Sequence, residues 1–125
     1  GCALPNAIGG KLALDDTPVV VLVGDGGFMF TVQELITAAE LHLSLPIIIW
    51  NNGGLKQIRD DMVQRNIPVV GVDGINPNFM QLAEAFGCQA VRPDSEVAFK
   101  CAVTKALDAA SPTLIELFEN SDWLS

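Results

Sequence analysis

Two short polar motifs, each placed at the end of an apolar run, constrain this chain more than any other feature. Gly24-Asp25-Gly26 follows the run at residues 19–23, and Asn51-Asn52 follows the run at residues 47–50. Short apolar runs rich in Val and Ile read as buried strands of a parallel sheet, and open parallel sheets keep their ligand crevices outside the strands' carboxyl ends. Asp25 and Asn52 are therefore expected to converge on one hard cation. Gly26 and Gly27 let the backbone come close to a phosphate and offer N–H donors with no side chain in the way. No Lys or Arg lies between Gly24 and Gly54, so an anionic group bound there needs a divalent ion as its main counter-charge.

The rest of the chain alternates between helical and strand signals. Residues 4–14 carry Ala, Leu and Ile at helical spacing with Pro5 near the start, and Asp15-Asp16-Thr17-Pro18 breaks that helix. Thr31-Val32-Gln33-Glu34 matches a capping box, with Leu35, Ala38, Ala39 and Leu43 as the buried stripe behind it. Leu55, Ile58 and Met62 share one face of a further helix, opposite Lys56, Arg59 and Asp60. Asn76-Pro77 is expected to open a helix with Phe79, Leu82, Ala83 and Phe86 inward, and Gly87 to end it in a left-handed cap. A short strand at 88–91, a helix capped by Asp94 or Ser95 and running to about Ala109, and a last strand at 113–118 complete the series. Such alternation predicts one α/β domain over residues 1–125, a doubly wound, mainly parallel sheet with helices on both faces.

Rival α/β readings fail on particular residues. A dinucleotide fingerprint needs a glycine where Met29 stands, and the Gly-Lys-Ser/Thr ending of a phosphate-binding Walker loop does not occur. A receiver-like domain shares the acidic strand ends but would carry a clustered acidic pair and a strand-end Lys. With 7 Lys and Arg against 15 Asp and Glu, the net charge of −8 disfavours nucleic acid as a partner. No apolar run reaches the roughly 18 residues of a membrane span, and no leader-like segment opens the chain. Cys2, Cys88 and Cys101 are three unclustered cysteines, which suits a reducing cytoplasm and suggests neither zinc nor a disulfide framework. Cys101 is expected to be a buried structural thiol, and His42 a helix-end residue rather than a catalytic base.

The pair of motifs, Gly-Asp-Gly and then Asn-Asn with residues 27–50 between them, resembles the signature of thiamine-diphosphate-dependent enzymes. Ala3-Leu4-Pro5-Asn6-Ala7-Ile8-Gly9 and Gln33-Glu34-Leu35 are similar to the same region of acetolactate synthases and their 2-oxo acid decarboxylase relatives. The resemblance implies the thiamine-diphosphate-binding fold and a C-terminal diphosphate-binding domain, shortened at its N-terminus. It implies that Asp25, the Asn52 side-chain oxygen and the Gly54 carbonyl ligate Mg²⁺, and that Gly24, Gly26 and Gly27 belong to the cofactor-binding set. No residue of this chain is expected to act as a catalytic group. A separate pyrimidine-binding domain, of the same or another subunit, would supply the glutamate that activates the cofactor. The isolated chain is thus expected to be inactive, and the complete enzyme to be a homo-oligomer.

The resemblance narrows the reaction to a 2-oxo acid decarboxylase or carboligase, with a noncatalytic binding or assembly module as the other reading. Acetolactate synthases carry a tryptophan in the helix after Asn-Asn, where this chain has Asp60-Asp61-Met62. Pyruvate decarboxylases carry a glutamate at the position matching Ile58. Residues 52–59 look closer to decarboxylases of larger 2-oxo acids. Asp60 and Asp61 then read either as groups facing a cationic substrate tail or as a solvated helix face.

Overall fold

The structure is a computed structural model that describes residues 1–14 and 16–124. Asp15, part of the expected helix-breaking segment, lies outside the described residues. In chain order the elements are α1 (Ala3–Ala13), β1 (Val21–Gly24), α2 (Asp25–Met29), α3 (Glu34–Glu40) and β2 (Pro46–Asn51). They continue as α4 (Lys56–Gln64), α5 (Phe79–Ala85), β3 (Gln89–Val91), α6 (Glu96–Asp108) and β4 (Thr113–Phe118), closed by a 3₁₀ turn at Asp122–Leu124. No helix is long and apolar enough to cross a membrane among the described residues.

The four strands form one wholly parallel sheet in the order β1-β2-β4-β3. Two crossovers move in one direction across the sheet, β1 to β2 through α2 and α3, and β2 to β3 through α4 and α5. The last, β3 to β4 through α6, turns back. Crossovers of one hand that run in opposite directions must lie on opposite faces, and the core divides that way. Leu4, Ile8, Phe28, Leu35, Ala38, Phe79 and Ala83 pack from α1, α2, α3 and α5 against Val21, Ile47, Ile49 and Leu114. Across the sheet, Ala102 and Ala106 of α6 cover Ile115 and Leu117, with Ile48 and Trp50 at the margin. Successive residues of β2 alternate between the two clusters, as the period of two along a strand requires.

Several local expectations are corrected. Residues 25–29 coil into a helix directly from β1, an element that the periodicity of the sequence does not show. The capping box at Thr31-Glu34 does not form: Gln33 occupies the cap position without a side-chain bond. Instead the amides of Thr31, Glu34, Leu35 and Ile36 each bond to the carbonyl three residues back, a tight 3₁₀-like path that joins α2 to α3. The cap of α5 is Asn78, whose side chain accepts from the Met80 and Gln81 amides, so Asn76 and Pro77 stand outside that helix. Ser95 caps α6 through the Ala98 amide, and Gly87 takes the left-handed conformation at φ 71°. The helix at α4 forms, but none of its residues is buried, and Ile58 on its apolar face is exposed.

Cys101 is exposed rather than structural, and Cys88 is the buried thiol. The stripe of α6 that meets the sheet runs through Ala102 and Ala106, which turns Cys101 outward. Burial pushes the Cys88 pKa up to about 11, so its thiol stays protonated at pH 8. A thiol reagent at that pH should therefore label Cys2 and Cys101 quickly and Cys88 only on unfolding, as counted by mass spectrometry. Because the folded protein holds that proton more tightly than the unfolded chain, its contribution to stability is intact below about pH 9. It is lost as the pH rises toward 11.

Candidate functional site

The carboxyl ends of β1 and β2 lie side by side, with Gly24 paired to Trp50 in the register. Continuing β1, Asp25 enters α2 at the sheet's edge, and continuing β2, Asn51 leads into a loop made sharp by Gly53 and Gly54. These glycines adopt φ of 87° and 126°, conformations that L side chains rarely reach. The segment at 71–76 folds back over the loop, through an isolated bridge between Gly54 and Asp73 and a bond from the Leu55 amide to the Val72 carbonyl. Three segments distant in sequence thus meet over one carboxylate.

That carboxylate, Asp25, is 1% exposed. Its Oδ2 accepts from the Gly53 amide at 3.0 Å, the Gly54 amide at 2.7 Å and Asn76 Nδ2 at 2.5 Å. Among the described residues no Lys, Arg or His forms an ion pair with it. Lys56, just beyond the loop, is committed to Glu119: this hydrogen bond raises the Lys56 pKa and lowers that of Glu119. Burial of an ionised carboxylate is costly unless hydrogen bonds and an opposite charge compensate it. The amides supply the first to Oδ2, and the second is not provided by protein.

The other oxygen, Oδ1, faces Asn52 and Gly54. One terminal atom of the Asn52 amide lies 3.2 Å from Asp25 Oδ1 and 3.2 Å from the Gly54 carbonyl oxygen. With nitrogen at that position, the amide donates to both oxygens. With oxygen there, three acceptors converge with no donor among them, an arrangement that only a cation stabilises. One carboxylate, one amide oxygen and one backbone carbonyl are hard oxygen donors of the kind Mg²⁺ takes, with room left for ligand oxygens. No cluster of three or more His, Cys, Asp or Glu side chains suited to a metal occurs among the described residues, so a softer transition-metal centre is disfavoured. The residues present fit Mg²⁺.

The expected site residues are brought together. Gly24, Asp25, Gly26, Gly27, Asn52 and Gly54 line one recess of about 190 Å³ with residues 55–58. In the first turn of α2 the Gly26 and Gly27 amides lack intrahelical acceptors, which leaves them open to an anion. A side chain at Gly26 would collide: its Cβ would lie 2.7 Å from Leu55 Cδ2 and 3.2 Å from the Gly54 carbonyl oxygen. At Gly27 the nearest contact would be an ordinary 3.5 Å. A larger, mostly apolar cavity of about 340 Å³ adjoins the recess, lined by Met29, Phe30, Leu55, Ile75, Asn76 and Pro77 among others.

Sequence reasoning missed the supports of the site. Asn51 Oδ1 accepts from the Gly53 amide and from Asn76 Nδ2, both at 3.1 Å, and Asn51 Nδ2 donates to Glu116 Oε1 at 2.6 Å. Glu116, 2% exposed on β4, accepts at Oε2 from Arg92 at 3.0 and 2.6 Å. Only the carboxylate of this pair is buried, since the Arg92 side chain is 45% exposed, so solvent screens the attraction and the hydrogen bonds to Glu116 matter more than the charge pairing. The one available signal was Glu116 itself, a charge inside an otherwise apolar central strand.

Residues 1–117 match the family model described as thiamine pyrophosphate enzyme, C-terminal TPP binding domain; thiamine pyrophosphate and thiamine diphosphate are the same compound. The chain is 44% identical over 118 residues to a probable 2-ketoarginine decarboxylase of Pseudomonas aeruginosa, covering 94% of this chain and 21% of that protein. It is 31% identical over 117 residues to acetolactate synthase of Bacillus subtilis, covering 94% and 20%. The solved structure of a thiamine diphosphate-dependent 4-hydroxybenzoylformate decarboxylase of Rhodococcus jostii superposes with a TM-score of 0.85 at 34% identity, covering 96% and 23%. The chain thus spans about a fifth of the length of these relatives.

If Asp25 organises the 52–54 loop, the Gly53 and Gly54 amides should exchange slowly with solvent. Asp25→Ala should speed both and lower stability by about 1–3 kcal/mol, the cost of orphaning buried donors. Hydrogen exchange read residue by residue checks this.

Proposed function

The chain belongs to the thiamine pyrophosphate enzyme family, as its C-terminal TPP-binding domain, and from that premise we propose that it binds the Mg²⁺-diphosphate end of the cofactor. Asp25 Oδ1, the Asn52 amide oxygen and the Gly54 carbonyl hold the ion. The Gly26 and Gly27 amides would hold the diphosphate, whose oxygens would supply further ligands to the ion. The observation that carries this reading is a buried carboxylate that no cationic side chain pairs among the described residues, with the Asn52 amide terminus 3.2 Å from both its Oδ1 and the Gly54 carbonyl oxygen. Asn52 presents oxygen rather than nitrogen once the ion is in place.

When bound, thiamine diphosphate supplies the nucleophilic carbon and the electron sink for decarboxylation of a 2-oxo acid. The residues of this chain anchor and orient that group. Gly26 keeps the floor of the recess open, and the folded-back 71–76 segment closes its side. The adjoining apolar cavity receives the body of the cofactor or substrate. The chain's own contribution is positioning; the group that activates the cofactor comes from a partner domain, of the same or another subunit. We assign the whole protein to the 2-oxo acid decarboxylases, in line with the names of two of the relatives above. A carboligase of the acetolactate synthase kind is the second reading, supported by the Bacillus subtilis relative. The exposed carboxylates of Asp60 and Asp61 on α4, close in sequence to the recess-lining residues 55–58, favour a substrate with a cationic tail.

The thermal midpoint of the protein with Mg²⁺ alone, thiamine diphosphate alone and both together tests the binding reading. At about 100 times the dissociation constant the combination should add roughly 2.7 kcal/mol to the folded state, with little from either component alone. Asp25→Ala should abolish the shift. An equal shift from thiamine diphosphate without metal, or a full shift in Asp25→Ala, would remove the basis for the reading.

A further inference from the structure

We propose that Glu116, on central strand β4, and Arg92, just beyond β3, are positioning residues for the metal-binding loop and act on it through Asn51. This rests on the Mg²⁺ reading above and concerns residues that do not touch the ion.

The hydrogen-bond polarity of the chain of contacts is fixed at each step. The Arg92 guanidinium can only donate, so Glu116 Oε2 accepts. Glu116 Oε1 is then an acceptor for Asn51 Nδ2 at 2.6 Å. The amide of Asn51 is thereby locked with its oxygen toward the loop, where it accepts from the Gly53 amide and from Asn76 Nδ2. Asn76 Nδ2 in turn bridges to Asp25 Oδ2 at 2.5 Å. Rotated by half a turn, Asn51 would set its NH₂ group against two donors and its oxygen against a carboxylate. Glu116 thus decides which way Asn51 points, and Asn51 decides where Gly53 and Asn76 sit over Asp25.

Two carboxylates stand at the ends of this relay, but they are not equivalent. Glu116 is paired with Arg92, whose guanidinium also lies 5.0 Å from the centre of the Phe118 ring. Among the described residues Asp25 has no such partner. The structural carboxylate is ion-paired and the binding one is not; its Oδ2 is occupied by N–H donors and its Oδ1 is directed at Asn52 and Gly54. Outer partners of metal ligands commonly change affinity by about 10–100-fold when removed. Glu116→Gln is nearly isosteric, yet its NH₂ must oppose either Arg92 or Asn51, so it corrupts the relay without opening a cavity.

The test is calorimetric titration of Mg²⁺ into the naturally expressed protein at saturating thiamine diphosphate, for wild type, Glu116→Gln, Asn51→Ala and the double variant. Glu116→Gln and Asn51→Ala should each weaken Mg²⁺ binding by about 10–100-fold. The double variant should be no weaker than the worse single one, because both break the same path. Full additivity would show that Glu116 acts by some other route, and unchanged affinity in either single variant would also overturn the proposal. Should Glu116→Gln not fold, Asn51→Ala at its partly buried position at the end of β2 still decides, since wild-type affinity there breaks the relay. Absence of Mg²⁺ uptake by the wild type would instead sink the metal reading itself, and the relay with it.

Discussion

A carboxylate almost wholly removed from water, with three N–H donors on one oxygen and no cationic side chain on the other, is the interaction around which this domain is organised. Asp25 sits where β1 ends, and its Oδ2 gathers the amides of Gly53 and Gly54 and the side chain of Asn76. Without it the segments at 52–54 and 71–76 would have no common acceptor, and the recess would lose its wall. Oδ1 faces Asn52 and Gly54 and is the oxygen proposed to hold the ion. On that reading, one oxygen holds the protein together and the other holds the ligand.

The parallel sheet makes that division possible. Because β1 and β2 are adjacent and parallel, their carboxyl ends deliver Asp25 and the Asn51-Asn52 pair to the same edge. Both faces of the central strands are covered, so the edge rests on a rigid, dry base. Central β4 carries its one charged residue at Glu116, on the cluster face shared with Leu114. That charged position ties the end of β2 to Arg92 beyond β3, joining the loop to the part of the sheet formed last in the sequence.

Much of this was legible in the residues. The apolar runs at 19–23 and 47–50 and the polar groups closing them are enough to place Asp25 and Asn52 together, because a parallel sheet leaves few other arrangements. The helix at 25–29 was not legible, since two glycines and a strand-end aspartate read locally as a turn; the burial of Phe28 against Phe79 stabilises it instead. Asn76 was mistaken for a helix start because Asn-Pro is a good one, while Asn78 two residues on is the real cap. Its bond to Asp25 joins residues 51 apart, a long-range pairing with no periodic signature. The apolar face read for α4 through Leu55, Ile58 and Met62 followed the helical spacing, yet Ile58 stands exposed. Periodicity shows that a helix has an apolar side, not what covers it.

The measurement closest to the heart of the matter is a crystal structure of the protein with thiamine diphosphate and Mn²⁺, whose anomalous signal locates the ion in the place of Mg²⁺. The ion should bond Asp25 Oδ1, the Asn52 amide oxygen and the Gly54 carbonyl at about 2.1 Å, the span of a Mg²⁺–oxygen bond. Asp25 Oδ2 should still accept from the Gly53 and Gly54 amides. An ion bound to Oδ2 with those amides displaced, or one seated away from Asp25 altogether, would contradict the division of roles between the two oxygens.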